Sequence, residues 1–144
     1  MNQEVLTEAI SMLPASRMVV LIDSCYSGAF AVSKSVFQDR SLAGSLGQKT
    51  GRMVLAGTSS EQEASDGIPG MEGHGLFTAV VLNGLNGKAD QEVRGNRDHH
   101  VDVLEIIEYA RKQVSDEAHK ISHKQNATFY YSGGDFFNLS EYKN

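Results

Sequence analysis

The chain has 144 residues, enough for one ordinary domain, and 40% of them are hydrophobic, which is enough to form a core. Its formal net charge is -5, and no stripe of basic residues alternates with aromatic ones, which argues against a nucleic-acid-binding surface. The longest apolar run, 18–22, is too short to cross a membrane, and the first residues lack the features of a signal peptide. We therefore expect a cytoplasmic protein with neither a nucleic-acid nor a membrane partner.

The first half of the chain predicts a short helix followed by two strands. Residues 4–13 carry apolar side chains at helical spacing, and Pro14 ends that pattern. The runs 17–23 and 52–57 are continuous apolar segments with β-branched residues, which is typical of strands buried on both faces of a parallel sheet. Residues 29–51 between them are rich in Ser, Gly, Lys and Gln, so we expect a long mobile loop.

The second half alternates loops, helices and a last strand. Residues 58–73 are polar and acidic, which predicts a loop at the same end of the sheet as the end of the first strand. A helix is predicted over 76–85, closing on Gly87, and a strand over 127–131. This alternation, without repeats or low-complexity tracts, indicates a layered α/β domain.

The clearest local pattern lies between these elements. Asp102 is expected to cap the start of a helix, with Glu105 three residues later as its capping-box partner. The apolar side chains that follow share one helical face, which should pack on the core: Val103, Ile106, Ile107, Ala110 and Val114.

Cys25 is the only cysteine, so it cannot form an internal disulfide. It follows directly on the first predicted strand, and α/β sheets place their functional sites at the carboxyl ends of parallel strands. A buried structural thiol is the plain alternative, because most lone cysteines are core residues. The position and the Ser and Gly neighbours favour a nucleophile.

Residues 23–28, which read Asp-Ser-Cys-Tyr-Ser-Gly, resemble the nucleophile segment of the caspase-like cysteine peptidases, especially the metacaspases and their bacterial relatives. Further segments resemble that family in the right order: 55–60 (Leu-Ala-Gly-Thr-Ser-Ser), 73–78 (Gly-His-Gly-Leu-Phe-Thr) and 125–127 (Gln-Asn-Ala). The resemblance implies a three-layer α/β/α sandwich with a mostly parallel sheet, of which residues 1–144 form an incomplete, C-terminal part.

The resemblance also implies a role for each site residue. Cys25 attacks the scissile carbonyl, and its own backbone N–H helps to bind the oxyanion. The family's histidine lies roughly 50 residues before the cysteine, and therefore outside this chain. In relatives the residue at this position lines the substrate's first pocket and selects Arg or Lys, so the resemblance implies that role for Asp23, with Ser59 and Ser60 as the pocket wall. The alternatives are that Asp23 orients the missing histidine or only caps a neighbouring backbone N–H. Asp23 and Cys25 are two apart, so in an extended chain they share one face.

The resemblance further implies processing and a partner. Caspase-like enzymes often cut themselves between their two subunits, and the candidate segment here is 29–51. The basic residues available for such a cut are Lys34, Arg40, Lys49 and Arg52. A domain without its leading strands should associate with a histidine-bearing N-terminal fragment or with itself. Alone it should be nearly inactive, because a thiol with an unperturbed pKa of about 8.5 is mostly protonated at neutral pH.

Two other functions stay open. The first is a catalytically inactive caspase-like module that keeps the fold for binding. The second is a thiol hydrolase of the α/β-hydrolase type, which requires glycine two residues before the nucleophile. Asp23 occupies that position and counts against it. Cleavage after aspartate is not implied, because Asp23 and Ser24 replace the Gln-Ala of the animal caspase signature.

The histidines and acidic residues do not predict a metal site. His74 follows an acidic loop and comes after the cysteine, which disfavours it as the general base. His119 and His123 have a spacing that suits a shared metal, but they fit better as the basic end of a helix, and His99 and His100 fit a solvated loop. We expect no cofactor. Calcium stays possible but unassigned at the carboxylates of one loop, Glu61, Glu63, Asp66 and Glu72.

Overall fold

The computed structural model describes residues 8–10, 12–23, 51–57, 73–92, 94–131 and 135–143. Residues 8–10 are helical, and nine further elements follow them in the described part of the chain. They are β1 (Met18–Ile22), β2 (Arg52–Ala56), α1 (Leu76–Asn83), a π-helical turn (Gly84–Lys88), α2 (Ala89–Gln91), β3 (His100–Asp102), α3 (Val103–Lys120), β4 (Thr128–Tyr131) and β5 (Asn138–Glu141). Helices and small sheets together make this an α/β structure, as the alternating pattern predicts.

The main sheet has the strand order β1-β2-β4. β1 and β2 are parallel, with Ile22 opposite Ala56 at their carboxyl ends. β4 is antiparallel to β2, and its first residue, Thr128, lies opposite Ala56. The described sheet is therefore mixed, whereas a mostly parallel one was expected. The reason is that α3 runs toward the carboxyl ends of β1 and β2. The chain turns back over the short link 121–127, so β4 runs in the direction opposite to β2.

Side chains alternate between the two faces of the sheet and pack against different elements. One face carries Met53 and Leu55, both fully buried; Leu55 packs with residues of α1 and α3, and Met53 with residues of α3. The other face carries Val54, which packs with the helical residue Ile10. Described residues therefore cover both faces at β2, and three further side chains join Val54 on the second face: Val20, Ile22 and Tyr130.

β1 is less buried than its apolar sequence predicts. Leu55 of β2 is fully buried, whereas Leu21, its neighbour on β1, is 46% exposed. β2 lies between two strands, but β1 has a single neighbour among the described strands. The prediction of burial on both faces is therefore confirmed for β2 and wrong for β1.

The predicted capping box at the start of α3 is confirmed. The Asp102 side chain accepts from the Glu105 N–H at 2.8 Å, and the Glu105 carboxylate accepts from the Asp102 N–H at 3.0 Å. Glu105 also accepts from the Asn96 N–H at 3.0 Å. The predicted apolar face is buried throughout, since the five side chains are 0–2% exposed: Val103, Ile106, Ile107, Ala110 and Val114.

The helix predicted over 76–85 is α-helical only as far as Asn83 and continues into the π-helical turn. Gly87 in that turn has φ 103°, in the left-handed region that favours glycine. A β-carbon at Gly87 would lie 2.6 Å from the ring of Tyr142, so a larger residue does not fit either. Ser140 donates its hydroxyl to the Leu85 carbonyl at 2.6 Å, which ties the turn to β5.

A second, two-stranded sheet was missed by the sequence pattern. His100 and Glu141 pair where β3 and β5 run antiparallel, and Val101 is fully buried between the flanking elements. The expectation of a solvated loop fits His99, which is exposed, and is wrong for His100, which begins a strand. Strands of three and four residues are too short to show a period of two.

The remaining expectations are confirmed in part or lie outside the described residues. Of the helix predicted over 4–13, residues 8–10 are helical, and Met12 donates its N–H to the Glu8 carbonyl at 3.0 Å. Of the loop 29–51, only Gly51 is described. Within the described part of the chain, no helix is both long and apolar enough to cross a membrane.

Candidate active site

The carboxyl ends of β1 and β2 meet at one edge of the sheet. The Gly57 N–H donates to the Ile22 carbonyl at 2.9 Å, so the pairing of the two strands extends one residue past β2. Adjacent strands lie about 4.8 Å apart. The chain segments that lead to Cys25 and to Ser59 therefore leave the sheet from neighbouring points.

Asp23 is the first residue after β1, and its side chain is exposed at this edge. The Thr78 hydroxyl, in the first turn of α1, donates to Oδ2 of the Asp23 carboxylate. α1 therefore begins beside the end of β1, as expected of an element that borders a site at the carboxyl edge. A carboxylate also suits the positive end of a helix dipole.

Gly57 is held in place from two sides. Gln125, only 1% exposed, donates its side-chain amide to the Gly57 carbonyl at 2.7 Å. On the other side, a β-carbon at Gly57 would lie 2.7 Å from Cγ of Phe77, so only glycine allows α1 to approach this closely. The residue that leads into the predicted pocket segment is thus fixed by a buried hydrogen bond and by close packing.

Among the predicted site residues, the structure describes Asp23 completely and the backbone of Arg52. Asp23 lies at the carboxyl edge as expected, and Arg52 is the first residue of β2. The other site and processing residues lie outside the described residues: Cys25, Ser59, Ser60, Lys34, Arg40 and Lys49. The acidic loop considered for calcium lies outside them too, namely Glu61, Glu63, Asp66 and Glu72.

The histidines considered for metal binding or as a general base lie at the end of a helix or next to one. His119 belongs to the last turn of α3, as its interpretation as a helix end requires, and His123 follows the helix. His74 is exposed just before α1. In the described ranges, no group of three or more His, Cys, Asp or Glu side chains is arranged to hold a metal ion.

A second polar cluster, centred on Asp90, was not predicted from the sequence. Asp90 is 0% exposed, and its carboxylate accepts from the Arg97 N–H, from the His99 N–H at 3.0 Å and from the Tyr142 hydroxyl at 2.8 Å. Arg97 and His99 both have positive φ, of 62° and 68°. One buried carboxylate thus holds a tightly folded segment between α2 and β3 and links it to the end of the chain.

The pKa values of the two buried carboxyl groups in this region, Asp90 and Glu105, are shifted in opposite directions. Burial by itself would raise the pKa of Asp90, but the hydrogen bonds from Tyr142 and from the backbone of Arg97 and His99 lower it below its usual range. Burial raises the pKa of Glu105, and the neighbouring charges of Asp102 and Asp90 add to the rise. Asp90 is therefore stabilised as a carboxylate, whereas burial makes ionisation of Glu105 less favourable than it is in the unfolded chain.

We expect these shifts to appear in the pH dependence of stability. A carboxyl group whose folded-state pKa is lowered contributes stability above its unfolded pKa, about 3.9 for Asp, and loses it as the pH falls through the folded value. In urea denaturation between pH 6 and 3, Asp90→Asn should thus flatten the loss of stability on acidification. Glu105→Gln should steepen the loss of stability, because a group whose pKa is raised by folding stabilises the folded state as the pH falls, and the variant removes that gain. Equal slopes for both variants would contradict the assignment.

Two residues of these clusters carry weak sequence signals. Thr78 lies at the end of the segment 73–78, and Gln125 begins the segment 125–127, both of which contribute to the family resemblance. Asp90 has no such mark, because it lies among other polar residues, Lys88, Gln91 and Glu92, and its sequence neighbours do not set it apart. Comparison with known proteins found no matching family model, no matching curated protein and no matching solved structure.

Proposed function

We propose that this chain is the cysteine-bearing part of a caspase-like cysteine endopeptidase that cleaves peptide bonds after arginine or lysine when a histidine-bearing segment completes it. The observation that carries the proposal is the position of Asp23. Its carboxylate is exposed at the carboxyl edge of two parallel strands, directly before the Ser-Cys-Tyr-Ser-Gly segment that resembles the family's nucleophile.

The proposed reaction uses Cys25 as the nucleophile. Its thiol proton passes to the histidine of the completing segment, and the sulfur forms a bond to the scissile carbonyl carbon. The backbone N–H of Cys25 stabilises the oxyanion, the amine product leaves with the proton from the histidine, and water then hydrolyses the thioester. The isolated chain has no histidine before Cys25, so we expect little turnover from it.

The need for a completing segment is supported by β1. This strand lies at the margin of the described sheet, and Leu21 is nearly half exposed on the face that α1 and α3 cover at β2. A further strand beside β1 would shield that side chain. The same exposed margin favours the second candidate function, an inactive caspase-like interaction module, which differs from the first only in lacking catalysis.

The chain's single thiol allows the specificity to be tested without turnover. We expect an arginyl chloromethyl ketone to alkylate Cys25 about 30- to 100-fold faster than its citrulline counterpart, because only the charged guanidinium pairs with Asp23. Asp23→Asn should remove most of this preference. Peptide mapping by mass spectrometry measures the rates at Cys25, and a Cys25→Ser variant reports the background alkylation of the five histidines.

The rates with iodoacetamide, which has no side chain to be recognised, serve as the control for thiol reactivity. Dividing each chloromethyl ketone rate by the iodoacetamide rate of the same variant separates recognition by the pocket from a general change in thiol reactivity. A preference for an aspartyl chloromethyl ketone would contradict the proposed specificity. So would an Asp23→Asn variant that slows all reagents equally and keeps its preference for arginine.

A further inference from the structure

Asp23 has a partner from a distant part of the chain. The Thr78 hydroxyl donates to its carboxylate across 55 residues of sequence. Thr78 is half buried in the first turn of α1, next to Leu76 and Phe77, which are almost fully buried under β2. Core packing therefore sets the position of the hydroxyl, while the carboxylate that it contacts is exposed.

The element that carries Thr78 has little freedom to move. The Phe77 ring lies against Gly57, where even a β-carbon would not fit, and the Gln125 amide fastens the Gly57 carbonyl. The first turn of α1 is thus locked to the end of β2. A donor on such a rigid element can hold a neighbouring side chain in one orientation before any ligand arrives.

We propose that Thr78 is a positioning residue for substrate recognition, whose hydroxyl orients the Asp23 carboxylate toward the arginine or lysine side chain that precedes the cut. This inference rests on the proposed function. An ionised carboxylate has about four acceptor sites. The hydrogen bond from Thr78 occupies one of them, and a guanidinium needs two acceptors for its paired N–H groups. Fixing the carboxylate beforehand reduces the entropy lost when the substrate binds.

The competing explanation is that the Thr78–Asp23 hydrogen bond only ties β1 to α1. A carboxylate beside the first turn of a helix is stabilising on its own account. Under that explanation, loss of the hydroxyl lowers stability and leaves recognition unchanged. If Thr78 is a positioning residue, loss of its hydroxyl weakens the binding of a charged ligand specifically.

The test measures binding of Nα-acetylarginine amide to the chain by NMR titration, with Nα-acetylcitrulline amide as the uncharged probe of the same shape. We expect Thr78→Val, which keeps the branched shape and removes the hydroxyl, to weaken binding of the arginine probe about 5- to 10-fold. Binding of the citrulline probe should not change. Thr78→Ser restores the hydroxyl and should return the affinity for arginine to within about twofold of the original.

Ser140→Ala is the matched control, because Ser140 also donates a hydroxyl to an oxygen, the Leu85 carbonyl, away from Asp23 in the chain. Urea denaturation of each variant reports its stability. Thr78→Val with lowered stability but unchanged discrimination between the probes would overturn the role of Thr78 and leave the proposed function intact. An original chain that binds both probes equally would overturn the basic-residue specificity, and the inference with it.

Discussion

Replacing Cys25 with alanine should abolish peptide cleavage after arginine. The fall in kcat/KM should be on the order of 10⁴-fold or more, because the covalent step has no other nucleophile. The measurement uses a fluorogenic arginyl peptide and the chain co-expressed with a segment that supplies the proposed histidine. In a parallel experiment the isolated chain is assayed with added imidazole, which replaces the histidine side chain as the general base.

Ser27→Ala is the control for this experiment, because it removes a hydroxyl from the same segment and leaves the thiol. It should retain cleavage. Cleavage that persists in Cys25→Ala would show that another group performs the reaction. If the unmodified chain cleaves nothing in either experiment, the peptidase proposal fails and the inactive interaction module becomes the better explanation.

Replacing Asp90 with alanine should cost about 3 kcal/mol of unfolding free energy, since at least two backbone N–H groups in part-buried hydrogen bonds would lose their acceptor. The two groups are those of Arg97 and His99, both held in left-handed backbone conformations that need such support. Urea denaturation at pH 7 measures the loss. Local loosening of the segment should also appear as faster hydrogen exchange of the Arg97 and His99 amides.

The control is Asp98→Ala, in the same segment. Asp98 is about half exposed and accepts from the His100 N–H at 2.9 Å, so its loss leaves a group that water can reach. We expect it to cost less than about 1 kcal/mol. Similar losses for Asp90→Ala and Asp98→Ala would mean that the buried carboxylate has no special part in holding this segment.

The sequence predicted best where one element carries its own signals. The α3 helix combines a capping box at Asp102 and Glu105 with a continuous apolar face, and both were confirmed. The strands β1 and β2 were recognised from their apolar runs within one residue at each end. Such signals depend on neighbours within one or two turns or on a single run, so they can be read without knowing the fold.

The sequence predicted poorly where burial depends on neighbours. Val20 and Leu21 of β1 look as apolar as Val54 and Leu55 of β2, yet β1 is only partly covered; β2 lies between two strands, whereas β1 is the outer strand of the described sheet. The short strands β3 and β5 also escaped notice. Their pairing brings His100 and Glu141 together across the chain, and neither segment is long enough to show a period.

For the candidate site, the sequence alone determined the place of Asp23. A residue that directly follows an apolar strand must lie at the carboxyl edge, whatever else surrounds it. The tertiary structure decided its contacts: Thr78 reaches Asp23 across 55 residues, Gln125 reaches Gly57 across 68, and Tyr142 reaches Asp90 across 52. Local periodicity carries no information about such pairs, because they form only when packed helices and strands bring distant segments within hydrogen-bonding distance.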